Sequence, residues 1–412
     1  MPRPLIELDS ARRIVLEQTA PLEQQDVALE SSLGRTLAED VTSSETVPGF
    51  DNSAMDGFAV RARDTEGATV SSPAVLRTVD ESRAGRPSGR SLKPGDAIAI
   101  STGAVLPAGA DAVVAIEDVV QAGAEIEVAS PVEPGRHVRA AGEDIQAGEV
   151  VLRAGTSVGP FELGVLASVG SSKVACVSCP TVRVLTTGDE LLDPDEPLRP
   201  GGVRNANAYT VPALARLAGA TVTGVQSVGD AVDATNEAVA ATLDCDVAIL
   251  CGGVSVGVHD HVRSALGAAG AVEHFWGVAL RPGRPTWFGT HGGSGERKTL
   301  VFGLPGNPVS AIVTFLLFVR PAIRLLCGAD PARDRLSAAL DETYRKQPGR
   351  THAIRCRLEL RDDGWHARTT GPQGSHVLTS MIGADGLGIV PSACAGLAAG
   401  ERIDVELLAR AF

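Results

Sequence analysis

Gly188, Asp189 and Glu190 stand together in the turn TTGDEL, directly after the apolar run that begins at Thr181. A glycine at such a place lets the backbone approach a ligand closely, and the N–H groups after it can hold an anion. Two readings of the carboxylates stay open: partners for a metal ion or hydroxyl group, or first-turn acids stabilising a helix N-terminus. The stretch CGGVSVGVHDHV at 251–262 repeats this layout with more glycine. Gly252, Gly253, Ser255 and Gly257 form a loop that larger side chains would obstruct, which suits a phosphate or a bulky planar ligand. Asp260 opens the next helical pattern and is suited to Mg2+, which favours one or two carboxylates beside phosphate oxygens. His259 and His261 flank it. Residues two apart on a helix do not share a face, and no other His or Cys lies nearby at a zinc-ligand spacing.

Arg281 and Arg284 bracket Pro282-Gly283 in ALRPGRPTWFG. Two arginines on a Pro-Gly turn make either an oxyanion clamp or a solvated turn, and both readings stand. Cys176 and Cys179 form a single C-x-x-C followed by Pro180 and a strand pattern, with no second pair and no catalytic helix. Chance spacing accounts for it better than a redox centre or half a zinc site. No G-x-S-x-G, Walker A or dinucleotide glycine fingerprint is present.

The elements that must position these residues follow from the pattern of 181–322. Strands are expected at Val182–Thr186, Thr221–Val228, Val247–Cys251 and Leu300–Gly303. Helices are expected at Ala206–Leu217, Ala231–Leu243, His259–Ala269 and Pro308–Leu326, the last with Asn307 as N-cap and Pro308 at the first helical position. Strand, glycine turn and helix in alternation predict a central doubly wound parallel α/β sheet, with the ligand beyond the carboxyl ends of the strands. On either side the texture is short alternating runs broken by Gly and Pro, as expected for flanking β-rich modules and a C-terminal β domain. Helical spacing is read at 5–18 and 25–37, and a short helix at 161–169. The domains expected are 1–45 with 146–178 as one discontinuous unit, 46–145, 179–327 and 328–412.

Composition narrows the class. A chain of 412 residues is expected to hold several domains, and 44% apolar residues suit a globular protein. A net charge of -13 and 3% aromatics argue against general nucleic-acid binding. The N-terminus lacks a signal-peptide pattern, and the longest apolar run, 311–319, is short for a membrane span. Seven scattered cysteines suit a reducing, cytoplasmic setting.

Taken together in order, PGFDNSAMDGFAV (48–60), GEDI (142–145), TGDEL (187–191), CGGVSVGVHD (251–260) with RPGRP (281–285), and GLPGNPVS (303–310) resemble the molybdopterin molybdenumtransferases, the MoeA/gephyrin E-domain family. The segment GPQGSHVLTSMIGADGLGIVP (371–391) is similar to the family's C-terminal segment, so the resemblance spans essentially the whole chain. It implies a homodimer of elongated, four-domain subunits, with a C-terminal β-barrel-like domain. The α/β domain would share the molybdopterin-binding fold of the family's adenylyltransferase relatives. The reaction implied is Mg2+-dependent insertion of molybdate into adenylated molybdopterin, with release of AMP. The adenylyltransferase and apo-molybdoenzymes or their chaperones are the protein partners implied.

The same resemblance distributes the roles. Glu190, Asp230 and Asp260 would hold Mg2+ and act in the reaction with Asp56 and Thr102, which would reach the site from the β module across the dimer interface. Gly188, Asp189, Gly252, Gly253, Ser255, Gly257, Pro305, Gly306, Asn307 and Ser310 would bind the adenylated pterin, with Arg139 and Asp144 as further cleft residues. Arg281, Arg284 and Ser375 would hold molybdate. Four positions depart from the family pattern: Arg281 and Arg284 in RPGRP stand where the family often writes KPGKP, Gly277 stands where some members carry lysine, and Asp385 stands where Asn is usual. Two other readings are a molybdopterin adenylyltransferase, which needs only the α/β domain, and a gephyrin-like scaffold, which would favour an added linker and partner domain.

Overall fold

The computed structural model describes residues 4–254, 261–292, 298–332 and 335–408. Its centre is a six-stranded sheet in the spatial order Thr221–Val228, Thr181–Thr187, Val247–Cys251, Thr299–Leu304, Trp287–His291, Val272–Trp276. The first four strands are parallel and the last two antiparallel. Val247–Cys251 and Thr299–Leu304 are buried along their whole length, as strands covered by helices on both faces must be. One face packs against the helix Asn207–Leu217 and the helical stretch 308–326, the other against the helices Val232–Thr242 and Val262–Ala268. The expected parallel strands and their helices are therefore present. The antiparallel edge was not expected, because EHFW and TWFG are short and lie among glycines and prolines.

The stretch 308–326 is continuous helix, with a wide π-type turn at Phe315–Val319. By length and composition it could cross a membrane, contrary to the short run read from the sequence, but 89% of it is buried inside the protein. It is the core helix.

The expected helix at 25–37 is instead a strand, Gln24–Ala28, and one 3-10 turn, Leu29–Ser31. The strand pairs antiparallel with Lys173–Val177, and Val41–Thr42 pairs with Val150–Leu152. Val27, Leu37, Val158, Leu166, Val174 and Cys176 form the small core of this unit. Val27 finds apolar neighbours only through that pairing, so tertiary burial overrides local propensity. The helix Leu8–Glu17 packs elsewhere: Leu8, Ala11 and Val15 share the core of the α/β domain with Val278 and Phe318.

Between these segments lies a six-stranded sheet in the order Ala112–Ala115, Gly57–Val60, Asp96–Ile100, Ala74–Ser82, Glu125–Val128, Val119–Ala122. At the C-terminus, Arg335–Leu340, Thr351–Arg361, Gly364–Thr369, Gly386–Val390 and Arg402–Leu407 pair in a ring and close a five-stranded barrel. Ala338, Leu340, Ile354, Cys356, Val390 and Val405 fill it. Leu280–Arg281 pairs with Thr351–His352 and ties the barrel to the α/β domain.

Candidate active site

A cleft of about 750 Å³ opens beyond the carboxyl ends of the parallel strands. Gly188 and Glu190 reach it from the turn after Thr181–Thr187, and Asp230 from the turn after Thr221–Val228. Gly252 and Gly253 follow Val247–Cys251, while Pro305, Gly306 and Asn307 follow Thr299–Leu304. This is where a parallel sheet gathers its loops, so eight expected residues meet on one surface. Ser255, Gly257 and Asp260, with His259, lie outside the described residues.

Gly252 shows why the sequence needs glycine at this floor. Its φ is +96°, and a Cβ there would stand 2.7 Å from the carbonyl oxygen of Thr187. The two turns touch through bare backbone, and no other residue permits it.

Thr187 and Asn207 line the cleft, and each has a buried oxygen without a hydrogen-bond partner, Thr187 Oγ1 and Asn207 Oδ1. Leaving such an atom unpaired costs about 1–3 kcal/mol, so each marks a place where a polar ligand gains. Asn207 is fixed by its own amide, which donates to the carbonyl of Gly306 at 2.8 Å. Asn205 donates to Thr186 Oγ1 at 2.8 Å and to Ser227 Oγ at 2.9 Å, and accepts from the Ala208 N–H at 3.2 Å. It thereby ties two strands to the start of a helix. Arg204 also borders the cleft, with its Nη1 donating to the carbonyls of Asp193 and Glu196. None of these four was read from the sequence as a site residue. The signal was the pair of asparagines in RNANAYT, polar residues immediately before a helical run.

The adjacent acids divide. Asp189 Oδ1 accepts the backbone N–H of Asp230 at 3.0 Å, and the Asp189 N–H points back to Asp230 Oδ2 at 3.4 Å. Asp189 thus locks one turn to the next and borders a separate hollow. Glu190 and Asp230 remain on the cleft. Two carboxylates beside phosphate-sized backbone turns fit Mg2+, which keeps several waters and takes few protein ligands. Among the described residues no group of three or more His, Cys, Asp or Glu side chains gathers as a metal cage.

The barrel reaches the same cleft. His376 lines it, and Ser375 Oγ lies 3.5 Å from Asn307 Nδ2. Behind them is Arg355, fully buried, whose guanidinium donates to the carbonyls of Pro372, Gln373 and Gly374 at 3.2, 3.3 and 3.1 Å and to Ser380 Oγ at 3.0 Å. Burial pulls its pKa below the ordinary arginine value, yet the four acceptors keep a use for the charge. Arg355 is the side chain that shapes the loop carrying Ser375.

Arg281 and Arg284 are exposed and do not line the cleft, although Pro285 between them and the sheet does. Arg281 lies towards the barrel, where its charge, after burial, helps hold His352 down to about 4. Ser310 is buried in the core helix and is absent from the lining. Gly277 has a φ of +85°, which a lysine would adopt only with strain, and a Cβ there would press on the end of the Leu5 side chain, Cδ2 at 2.9 Å. Asp385 is a barrel residue whose Oδ2 accepts the Leu358 N–H at 3.0 Å. Cys251, below Gly252, is pushed up to about 12 by burial and is no thiolate at neutral pH.

The remaining expected residues sit in the β module. Asp56 Oδ1 accepts both the Thr102 N–H at 2.7 Å and its hydroxyl at 3.0 Å, and the backbone bond first, then the side-chain bond, lower its pKa. Arg139 and Asp144 line a second cleft, about 520 Å³, with Pro48, Phe50, Asn52 and Gly103. The rest of the 48–60 motif builds that surface: Asp51 Oδ1 accepts the Ala141 N–H at 2.8 Å, and Gly57 lets the backbone pass Val114. No described residue lines both clefts.

A parallel sheet whose loops form a polar, glycine-floored cleft, joined to a β module and a barrel, defines an α/β protein of several domains with a ligand cleft at its strand ends. Three family models cover the chain in that order: the MoeA N-terminal region (domain I and II) over 6–170, the probable molybdopterin binding domain over 183–325, and the MoeA C-terminal region (domain IV) over 337–408. Molybdopterin molybdenumtransferase 2 of Mycobacterium tuberculosis is 36% identical over 402 residues, covering 96% of this chain and 97% of that protein. The molybdopterin molybdenumtransferase of Bacillus subtilis is 37% identical over 410 residues, covering 98% and 94%. The crystal structure of the molybdopterin biosynthesis MoeA protein from Pyrococcus horikoshii superposes with a TM-score of 0.81 at 31% identity, covering 98% of this chain and 99% of that one. The chain belongs to the MoeA family of molybdopterin molybdenumtransferases.

Proposed function

We propose that this protein inserts molybdate into adenylated molybdopterin, with Mg2+ and with release of AMP, and that it works as a homodimer. The coarser statement, a transferase of molybdenum cofactor biosynthesis, follows from family membership. The finer one rests on the cleft, above all on Thr187 and Asn207, which line it beside Glu190 and Asp230 and each hold a buried oxygen without a partner.

The residues have separate tasks in this reading. Backbone N–H groups after Gly252, and the helix starting at Pro308, hold phosphate oxygens. Thr187 and Asn207 orient the polar part of the ligand. Glu190 and Asp230 would hold Mg2+, which when bound supplies Lewis-acid polarisation of the phosphoanhydride. Ser375, set by Arg355, is the best supported of the three residues assigned to molybdate, since it alone stands at the cleft edge. The substrate's own dithiolene sulfurs replace oxo ligands of molybdate, so the chain needs no nucleophile, and the neutral Cys251 thiol agrees with that. A dimer is proposed because Asp56, Thr102, Arg139 and Asp144 sit on a second surface. A neighbouring subunit could bring that surface over the first.

The test is direct. Purified protein with adenylated molybdopterin, Mg2+ and molybdate should release AMP in proportion to molybdate. ATP consumption on unadenylated molybdopterin, without molybdate-dependent AMP release, would instead identify an adenylyltransferase.

A further inference from the structure

Cys179 gains a partner in the fold that its sequence spacing does not suggest. Cys176, three residues earlier, is fully buried in the small core beside Val174 and Leu166, on the strand paired with Gln24–Ala28. Cys179 lies past the end of that strand, half-buried, where the chain enters the α/β domain. The end of the core helix meets it there. The Leu22 N–H donates to the Leu326 carbonyl at 2.9 Å, and the Ser178 N–H donates to the Glu23 carbonyl at 3.0 Å. A Cβ on Gly328 would meet Val177 Cγ2 at 2.7 Å, so the two segments run in direct contact. This brings the half-buried Cys327 thiol beside that of Cys179, with the Cys327 Sγ donating to the Gly219 carbonyl at 3.6 Å. Arg35 stands over the pair. Its Nη2 donates to the Val177 carbonyl at 3.3 Å, while its Nε is buried with no hydrogen-bond partner.

We propose that Cys179 and Cys327 form a reversible thiol–disulfide site, a clasp between the two points where the chain enters and leaves the α/β domain. Two neighbouring, partly accessible thiols beside a guanidinium are the arrangement that favours a reactive thiolate. The Cys179 thiol is held below its ordinary value first by the neighbouring Cys327 side chain, with Arg35 adding to the effect, while Cys327 is pushed up. Cys179, two residues past the carbonyl that Arg35 holds, is the attacking group, and Cys327, whose S–H is given to the Gly219 carbonyl at 3.6 Å, the resolving one. With hydrogen peroxide as oxidant, the Cys179 thiolate attacks one peroxide oxygen. An S–O bond forms, the O–O bond breaks, and hydroxide leaves and takes a proton as water. Cys327 then gives up its proton and attacks the Cys179 sulfur, so that an S–S bond forms, the S–O bond breaks and a second water leaves. The two thiols lose two electrons, and the peroxide gains them.

The experiment is peptide mapping of the full-length protein after peroxide treatment and thiol blocking, with and without a reducing agent. The expected result is one cross-link, Cys179 to Cys327, reversed by dithiothreitol and accompanied by a rise in Tm that reduction removes. Cys176→Ser should retain the cross-link. Cys179→Ser and Cys327→Ser should each lose it, and Arg35→Met should slow its formation several-fold. A Cys176–Cys179 cross-link, or oxidation confined to unlinked cysteines, would overturn the proposal. None of these readouts depends on the transferase activity, so the clasp and the proposed function can fail separately.

Discussion

In the α/β cleft, the ligand-facing atoms hang on main chain whose position the parallel sheet dictates. In the β module, the corresponding surface is held by side chains bonded to distant backbone. Gly252 against Thr187 and Asn207 on Gly306 belong to the first kind, and Asp51 on Ala141 and Asp56 on Thr102 to the second. The first cleft carries unpartnered buried oxygens, while Asp56 in the second module already has its partners. A floor with unmet hydrogen bonds is built to bind. A surface whose polar groups are already paired is built to be presented in one shape, and the two are complementary halves of a site only if brought together.

That division can be broken most sharply by mixing subunits. Glu190→Ala and Asp56→Ala should each lower molybdate-dependent AMP release on the order of 10²-fold, the usual scale for losing a charge-stabilising group. Glu190→Ala should keep its Tm, because that side chain is exposed, while Asp56→Ala should lose a small amount with the two bonds from Thr102. Unfolding and re-mixing the two inactive variants should restore roughly a quarter of wild-type activity if each site draws one residue from each subunit of a symmetric dimer. No recovery in the mixture would place both halves in one chain.

Much of the first cleft was legible because its causes are local. Glycine after an apolar run signals a strand ending in a tight turn, and Asn-Pro signals a helix start, so Gly188, Gly252 and Asn307 could be placed before any coordinates. The edge strands Val272–Trp276 and Trp287–His291 were not legible, since their burial comes from neighbours far along the chain. The helix read at 25–37 failed for the same reason. Arg355 was hidden in a different way: HAIRCRLELR shows alternation, and an arginine in an inward register looks the same as one facing water until the three carbonyls it holds are in view. Asp189 and Glu190 were indistinguishable as a pair, and only the reciprocal bond with Asp230 separates a turn lock from a cleft acid.

Arg355 offers the next largest effect, and it tests whether the barrel's contribution is positional. Arg355→Met keeps much of the volume but leaves the carbonyls of 372–374 without their donor. A loss of about 2–4 kcal/mol in urea denaturation is expected. At molybdate concentrations far above KM, the remaining folded enzyme should recover most of its kcat, because the defect lies in where Ser375 stands. A kcat defect that saturation does not relieve would make Arg355 part of the chemistry.

Thr187→Val bears on the claim that the α/β floor is built for a ligand. The hydroxyl has no partner in the protein, so replacing it with a methyl group should leave stability unchanged or raise it by up to about 1 kcal/mol. Binding of adenylated molybdopterin should weaken by roughly tenfold, the value of one hydrogen bond to a polar ligand. A destabilised variant with unchanged affinity would mean that the hydroxyl serves the fold and not the site.

The smallest effect is expected at Asp56, where the β module's own locks can be separated. Its folded pKa is depressed, chiefly by the Thr102 backbone N–H and secondly by the Thr102 hydroxyl. A carboxylate depressed in this way adds stability that is present above its unfolded pKa, near 3.9, and lost as pH falls through the lower folded value. Thr102→Val removes the hydroxyl and keeps the N–H. The Asp56 pKa, followed by carboxyl-carbon NMR, should therefore rise part of the way and stop below the ordinary aspartate value. The acid limb of the unfolding curve should move with it, and stability at neutral pH should fall by the matching small amount. A return all the way to the ordinary value would mean that the hydroxyl, and not the backbone, fixes this carboxylate. The β module's presented shape would then depend on a single rotatable side chain, and the contrast with the main-chain floor of the α/β cleft would be greater still.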